Sequence, residues 1–250
     1  IRPVTTWGEI EENWGAGRMS ALLTIEEGDV CLGRLELLRD FYRLGVRMMT
    51  LTWNYPNRLA WPNRIVWDGP DAGKTVPDTE HGLTETGIAF LEEMERLGMI
   101  IDISHLNDRG IQDVFAHTKK PFVASHSNAR AAASHPRNLT DGMIRKLADR
   151  GGVMGINFCA AFLRDWEREE DEVSLVEDMV RHIKHIRQVG GIGCIGLGSD
   201  FDGIGGRLEL SSAAALPKLA QAMEKAGFTT SEIEAVFYRN VLNLYRELLS

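Results

Sequence analysis

Residues 99–105 read MIIDISH and residues 121–127 read PFVASHS, and the fold follows from how these two stretches end. Each is a short apolar run closed by Ser-His, at His105 and His126. A helix-like segment around residues 107–117 lies between them, so the two runs read as parallel strands joined by a helical crossover. Adjacent strands in a sheet sit about 4.8 Å apart. Two imidazoles at neighbouring strand ends can therefore share a metal ion or a substrate.

The same alternation extends in both directions. Upstream, Met19–Glu26 (MSALLTIE) and Val46–Trp53 (VRMMTLTW) are apolar runs separated by a helical pattern over residues 35–44. Thr84 suits the N-cap of a further helix whose stripe is Ile88, Leu91, Met94 and Leu97, and Gly98 closes it. Downstream come a helix near 139–150, the strand GGVMGINF (151–158), a helix over 172–189 and the strand CIGLGS (194–199) leading to Asp200. Residues 212–250 read as helical, broken at Gly227 and capped by Thr230 or Ser231. The strands are short, apolar on both faces and free of hairpin turns, which predicts an α/β fold with parallel strands. Six strand-helix units result. A closed (β/α)8 barrel needs eight and an open doubly wound sheet can stop at six, so the count leaves both possible.

Two segments break the pattern. Residues 1–18 read as the end of a helix or a loop. Residues 54–82 hold Pro56, Pro62, Pro70 and Pro77 interleaved with Trp61 and Trp67 and have no clear period. A segment of that length is expected to be a functional loop, here an ordered active-site cover within a single domain spanning residues 1–250.

Composition narrows the function. The 250 residues are 44% hydrophobic and 26% charged, ordinary globular values. The net charge of -8 and the lack of a basic block argue against nucleic acid as a partner. No apolar run reaches the roughly 18 residues of a membrane span, and no signal peptide is visible. Cys31, Cys159 and Cys194 are odd in number and widely spaced, so buried free thiols and a reducing, cytoplasmic setting are expected.

The strand ends carry the chemistry. They are Glu26, Trp53-Asn54, His105, His126, Asn157 and Asp200. In barrel enzymes the active site forms from several strand C-termini. Two histidines and a carboxylate hold a zinc-like ion and leave a position for water, whose pKa falls to about 7. Asp200 is placed to take the proton, and Arg137 has the fork that suits a carboxylate. Plainer readings stand beside these. Glu27 reads as an exposed charge, His182 and His185 as a solvated helix face, and Asp200 and Asp202 around Phe201 as a turn.

The runs GLTETGIAFLEEMERLGMIIDISH (82–105), PFVASHSNAR (121–130), HPRNLTD (135–141), GGVMGINF (151–158) and IGLGSDFDG (195–203) resemble the membrane (renal) dipeptidase family of zinc peptidases, in its bacterial form. The resemblance runs from about residue 19 to the C-terminus. It implies a (β/α)8 TIM-type barrel with two zinc ions that hydrolyses dipeptides, including some with a D-residue at the C-terminal position. It makes Glu26 the bridging carboxylate, His105 and His126 the ligands of one zinc, Arg137 the anchor of the substrate carboxylate and Asp200 the proton carrier. Homodimers are common in the family.

Three departures accompany it. The family's His-x-Asp pair, which ligates the other zinc, has no counterpart, and the chain reads as beginning after the first two barrel strands. A substrate-facing histidine in a Leu-Thr-His context is replaced by Trp53, which neither accepts a proton nor becomes cationic. Glu27 intervenes where the motif normally runs from the glutamate into two glycines, adding bulk and charge next to the metals.

The expected function is zinc-dependent hydrolysis of a small dipeptide by a metal-bridged hydroxide, with Trp53, Asn157 and Arg137 on the substrate side. The rivals are a metal-dependent hydrolase of another amide, ester or lactone, motivated by Trp53, and a metal-depleted binding barrel, motivated by the missing pair.

Overall fold

The computed structural model describes residues 1–70 and 72–250. The chain forms two compact units, residues 1–122 with 243–250, and residues 123–242.

In the first unit four parallel strands pair in the order β1 (Arg2–Val4), β2 (Ser20–Ile25), β3 (Val46–Thr50) and β4 (Ile100–Asp102). The helices Trp7–Gly15, Leu35–Arg43 and Glu85–Leu97 each follow a strand or precede the next one, as parallel pairing demands. Leu38, Met49, Leu51, Phe90, Leu91 and Met94 are fully buried among them. Thr84 caps its helix by accepting from the Gly87 amide at 3.0 Å, and Gly98 ends it in the left-handed region.

Residues 1–18 are not irregular. They form β1 and the helix Trp7–Gly15, opened by a capping box in which Thr6 and Glu9 satisfy each other's backbone amides. With Glu9 at the third helical position this is a sequence-level start signal, but three residues of strand are too few to show a period. Among the described residues the sheet strands therefore number four here and three in the second unit, one more than the six read from the sequence, beside a separate two-residue parallel pair, Val173–Ser174 with Arg207–Leu208.

Residues 54–82 do contain a short antiparallel pair, Arg64–Ile65 with Thr75–Val76. Its base is fixed. Asn57 Oδ1 accepts from the amides of Leu59 and Ala60, both fully buried, and the Thr84 amide donates to the Leu59 carbonyl. The buried Asn107 side chain donates to the His81 carbonyl, and Trp61 stacks on the His81 ring at 4.4 Å.

In the second unit β5 (Val123–Ala124), β6 (Val153–Ile156) and β7 (Ile195–Leu197) pair in parallel in that order. Helices Asp141–Asp149 and Val176–Gly190 follow β5 and β6. Met154, Ile156, Phe158, Ile183, Ile186 and Ile195 are fully buried. Beyond Gly227 the cap is Thr229, one residue earlier than read, in a capping box with Glu232.

His182 corrects the reading of a solvated helix face. It is fully buried, Nδ1 accepting from the Ala129 amide at 3.1 Å and Nε2 donating to the Leu163 carbonyl at 2.9 Å. His185 is half-buried and meets Asp141 at 2.7 Å. Two loop backbone groups need partners, and an imidazole on the facing helix supplies both. Burial, with the nearby Arg181 charge, pushes the His182 pKa down to about 4. The unfolded chain takes up this proton below its ordinary value near 6.5, whereas the fold resists it until about pH 4. Stability contributed by neutral His182 is therefore complete above pH 6.5 and declines as pH falls toward 4. Urea unfolding is expected to show about 2 kcal/mol less stability at pH 5 than at pH 7 from this group. The His182→Gln variant is expected to lose that share of the pH dependence.

Candidate metal centre and active site

Backbone strain marks the strand ends. Glu27 follows β2, His105 follows β4, and Asp200 and Asp202 follow β7. All four take positive φ, between 61° and 80°. Such conformations cost a non-glycine residue of order 1–3 kcal/mol and collect at functional sites.

In the first unit Glu26 lies just past β2, and His105 Nε2 stands 3.0 Å from its Oε1. The histidine side chain is buried and the glutamate half-exposed. His105 Nδ1 lies 2.9 Å from Asn54 Oδ1. An amide oxygen only accepts, so Nδ1 carries the hydrogen. On a neutral ring Nε2 then presents a lone pair toward a carboxylate that also presents lone pairs. A cation between the two relieves that repulsion, which is how a metal ligand with its second nitrogen held by a carbonyl is built. Asn54→Ala is expected to weaken metal affinity about 10- to 100-fold, measured by competition with a chelator, with the fold retained.

Glu27 is neither a plain exposed charge nor aimed at a metal. Its carboxylate accepts from the Asp29 amide at 3.1 Å, the Trp53 amide at 2.9 Å and the Asn57 side chain at 2.5 Å. It thereby fixes the backbone on which Trp53 and Asn54 stand. Trp53 is 43% exposed, with its ring centroid 6.4 Å from that of His105.

In the second unit His126 follows β5, and its Nδ1 lies 2.7 Å from Ser125 Oγ. Arg137 is buried. Its Nη1 donates to Ser127 Oγ at 3.3 Å, its Nη2 to the His126 carbonyl at 3.4 Å, and its guanidinium carbon lies 5.4 Å from the centre of the Phe162 ring. His135 Nδ1 accepts from the Arg137 amide at 3.1 Å. Burial, then the charges of Arg137 and Arg130, lower the His135 pKa to about 4, so this ring is neutral at pH 7 and stays an acceptor.

Asn157 is fully buried at the end of β6, with its amide committed. Nδ2 donates to Asp200 Oδ2 at 3.0 Å and to the His126 carbonyl at 3.4 Å, while Oδ1 accepts from the Cys159 amide at 2.6 Å. Asn128 and Asn138, also fully buried, tie the loop after β5 to the carbonyls of Asn157, Ala133 and Phe162. Buried amides inside a loop have no sequence period, and Asn128 and Asn138 emerge only from tertiary packing.

Glu26 and His105 of the first unit meet at 3.0 Å, and the second unit carries a further strand-end imidazole at His126. One carboxylate and two imidazoles form a donor set that suits zinc and its neighbours. The cysteines are free thiols, Cys31 and Cys194 buried and Cys159 partly so. Among the described residues no helix is long and apolar enough to cross a membrane.

The chain is similar to known proteins along nearly its whole length. The membrane dipeptidase family, peptidase family M19, matches residues 1–249. An uncharacterized dipeptidase of Schizosaccharomyces pombe is 35% identical over 92% of the chain, which spans about half of that protein (53%). An uncharacterized protein in the pqqA 5' region of Klebsiella pneumoniae is 37% identical over 84% of the chain and 75% of its own length. Among solved structures, dipeptidase AC, a family M19 metallopeptidase, superposes with a TM-score of 0.88 at 30% identity, over 99% of this chain and 71% of that one. A Rhodobacter sphaeroides metallopeptidase, liganded with a phosphinate mimic of the dipeptide L-Ala-D-Ala, gives 0.86 at 30% identity, over 99% and 68%. The fold class is the α/β, TIM-type barrel class of these structures.

Proposed function

Because the chain belongs to the membrane dipeptidase family, peptidase family M19, we propose that it acts as a zinc-dependent dipeptidase. The observation that carries this reading is the meeting of Glu26 and the His105 ring at 3.0 Å, with the ring's other nitrogen held by Asn54. The phosphinate dipeptide mimic held by the Rhodobacter relative supports the substrate class.

Glu26, His105 and His126 would hold one ion, and Asn54 would fix the ligating tautomer of His105. A divalent ion so held lowers the pKa of bound water and polarises a carbonyl. Every other part is protein. Arg137 takes the substrate's C-terminal carboxylate with its guanidinium fork, and neutral His135 sets the backbone that carries it. Asp200 receives the proton from the attacking water and delivers it to the leaving amine. Asn157 serves the substrate side through Asp200, since its own amide already holds that carboxylate. Trp53 borders the substrate, and residues 54–82 cover it. Free thiols agree with a reducing, cytoplasmic setting.

The test is hydrolysis of a dipeptide panel by the metal-loaded protein and its loss on chelation. Absence of both bound metal and turnover rejects the reading. The panel includes esters and lactones because Trp53 supplies no proton at the substrate side; activity confined to those favours the other hydrolase class. Arg137→Met is expected to raise KM for a dipeptide about 100-fold, the worth of a charge-assisted bidentate contact. The effect is expected to vanish with dipeptide amides, which lack the carboxylate.

A further inference from the structure

We propose that Trp53, Tyr55 and Trp67 form a subsite for the side chain of the substrate's N-terminal residue, and that this subsite selects aromatic side chains. The proposal rests on reading His105 as a metal ligand beside the scissile bond.

The three rings form a continuous series ending at that ligand. Trp67 and Tyr55 lie 6.3 Å apart with planes 5° from parallel, Tyr55 and Trp53 lie 5.9 Å apart, and Trp53 and His105 lie 6.4 Å apart. The tryptophans and tyrosine are 43%, 50% and 68% exposed in chain order. Single exposed apolar residues are ordinary, but large rings in mutual contact make a patch, and such patches mark binding surfaces.

The series also stands on fixed backbone. Glu27 accepts from the Trp53 amide and from Asn57, whose side chain also donates to the Leu51 carbonyl. Next to Trp67, the Val66 amide donates to the Lys74 carbonyl, and the Val66 carbonyl accepts from Gly73. Rings with two side-chain torsions on an ordered backbone lose little entropy when a partner arrives.

The occupant follows by elimination. In the proposed reading Arg137 takes the C-terminal carboxylate and the ion faces the scissile carbonyl. Of the groups left, the C-terminal side chain lies on the Arg137 side of the scissile bond and the N-terminal amine is charged, so the side chain of the N-terminal residue is the group that apolar rings next to His105 suit. Ring faces and edges favour another ring over an aliphatic chain of similar area. A cationic side chain gains less, because the Glu27 carboxylate already accepts three hydrogen bonds and Glu26 faces the ion.

The experiment compares kcat/KM of the metal-loaded protein for Phe-Ala, Tyr-Ala, Leu-Ala, Lys-Ala and Gly-Ala. Phe-Ala and Tyr-Ala are expected to exceed the others by about tenfold or more. In Tyr55→Ala and Trp67→Ala the Phe-Ala to Gly-Ala ratio is expected to fall toward one, with metal content and melting temperature retained. No aromatic preference, a preference for Leu-Ala or Lys-Ala, or a ratio that survives both substitutions overturns the proposal. If no dipeptide is cleaved, the catalytic reading is what has failed. Tryptophan fluorescence then decides the subsite. Saturable quenching by Phe-Ala that Tyr55→Ala abolishes supports it, and its absence in the parent protein overturns it.

Discussion

His126→Ala is expected to lose bound metal and to lower dipeptide turnover at least about a thousandfold. A divalent ion contributes several kcal/mol of transition-state stabilisation, and each 1.4 kcal/mol is about tenfold in rate. With His126 gone, one carboxylate and one imidazole remain of the three-ligand set. The matching experiment at the other imidazole needs more care. His105 holds φ at 70°, where alanine is strained and asparagine is tolerated. His105→Asn therefore removes the imidazole with less disturbance of the turn. Metal content by elemental analysis, melting temperature and kcat/KM are measured on both variants. Retained metal and activity in either one removes that residue from the centre. Loss of activity with full metal content assigns it a role other than ligation.

The second large effect is on stability. Gly198 lies just past β7, and a Cβ placed on it would stand 1.9 Å from the Ser125 carbonyl oxygen. Gly155 in β6 meets the same oxygen at 2.1 Å. Both contacts are with backbone, so no side chain can swing aside. Gly198→Ala must push back the Ser125–His126 peptide or break the Gly198 amide's bond to the Ile156 carbonyl, 3.1 Å long. The expected cost is about 3 kcal/mol or more, at the upper end of overpacking effects. For a chain of this length that is a fall in melting temperature of about 10 °C. Metal affinity is expected to fall with it, because His126 stands on the displaced peptide. Gly193→Ala is the control. It meets nothing within 4 Å and has no left-handed φ, so its melting temperature is expected to stay near that of the parent. Equal stability of the two variants would contradict this account of the strand ends.

Much of the fold is legible in local pattern. Thr84 and Gly98 bracket their helix as read, because a capping hydroxyl and a left-handed glycine act within four residues. Parallel strands declare themselves by being apolar on both faces. The failures have the same physical origin. β1 is three residues long and shows no period. The antiparallel pair inside residues 54–82 is two residues per strand. His182 looks like a polar residue on a helix, and only the loop packed against that helix shows what it bonds.

The sequence by itself determined the alternation of parallel strands and helices, the identity of the strand-end residues and, through spaced motifs, the family. These depend on interactions within one turn, one strand or one motif, which local order preserves. The tertiary structure decided what each polar group is for. It bound Glu27 to the backbone carrying Trp53, gave Asn157 to Asp200, set Asn54 behind His105 and lined up three aromatic rings beside that histidine. Hydrogen bonds between residues 26 to 51 positions apart leave no period in a sequence, and they form only when the strands that carry them are already paired.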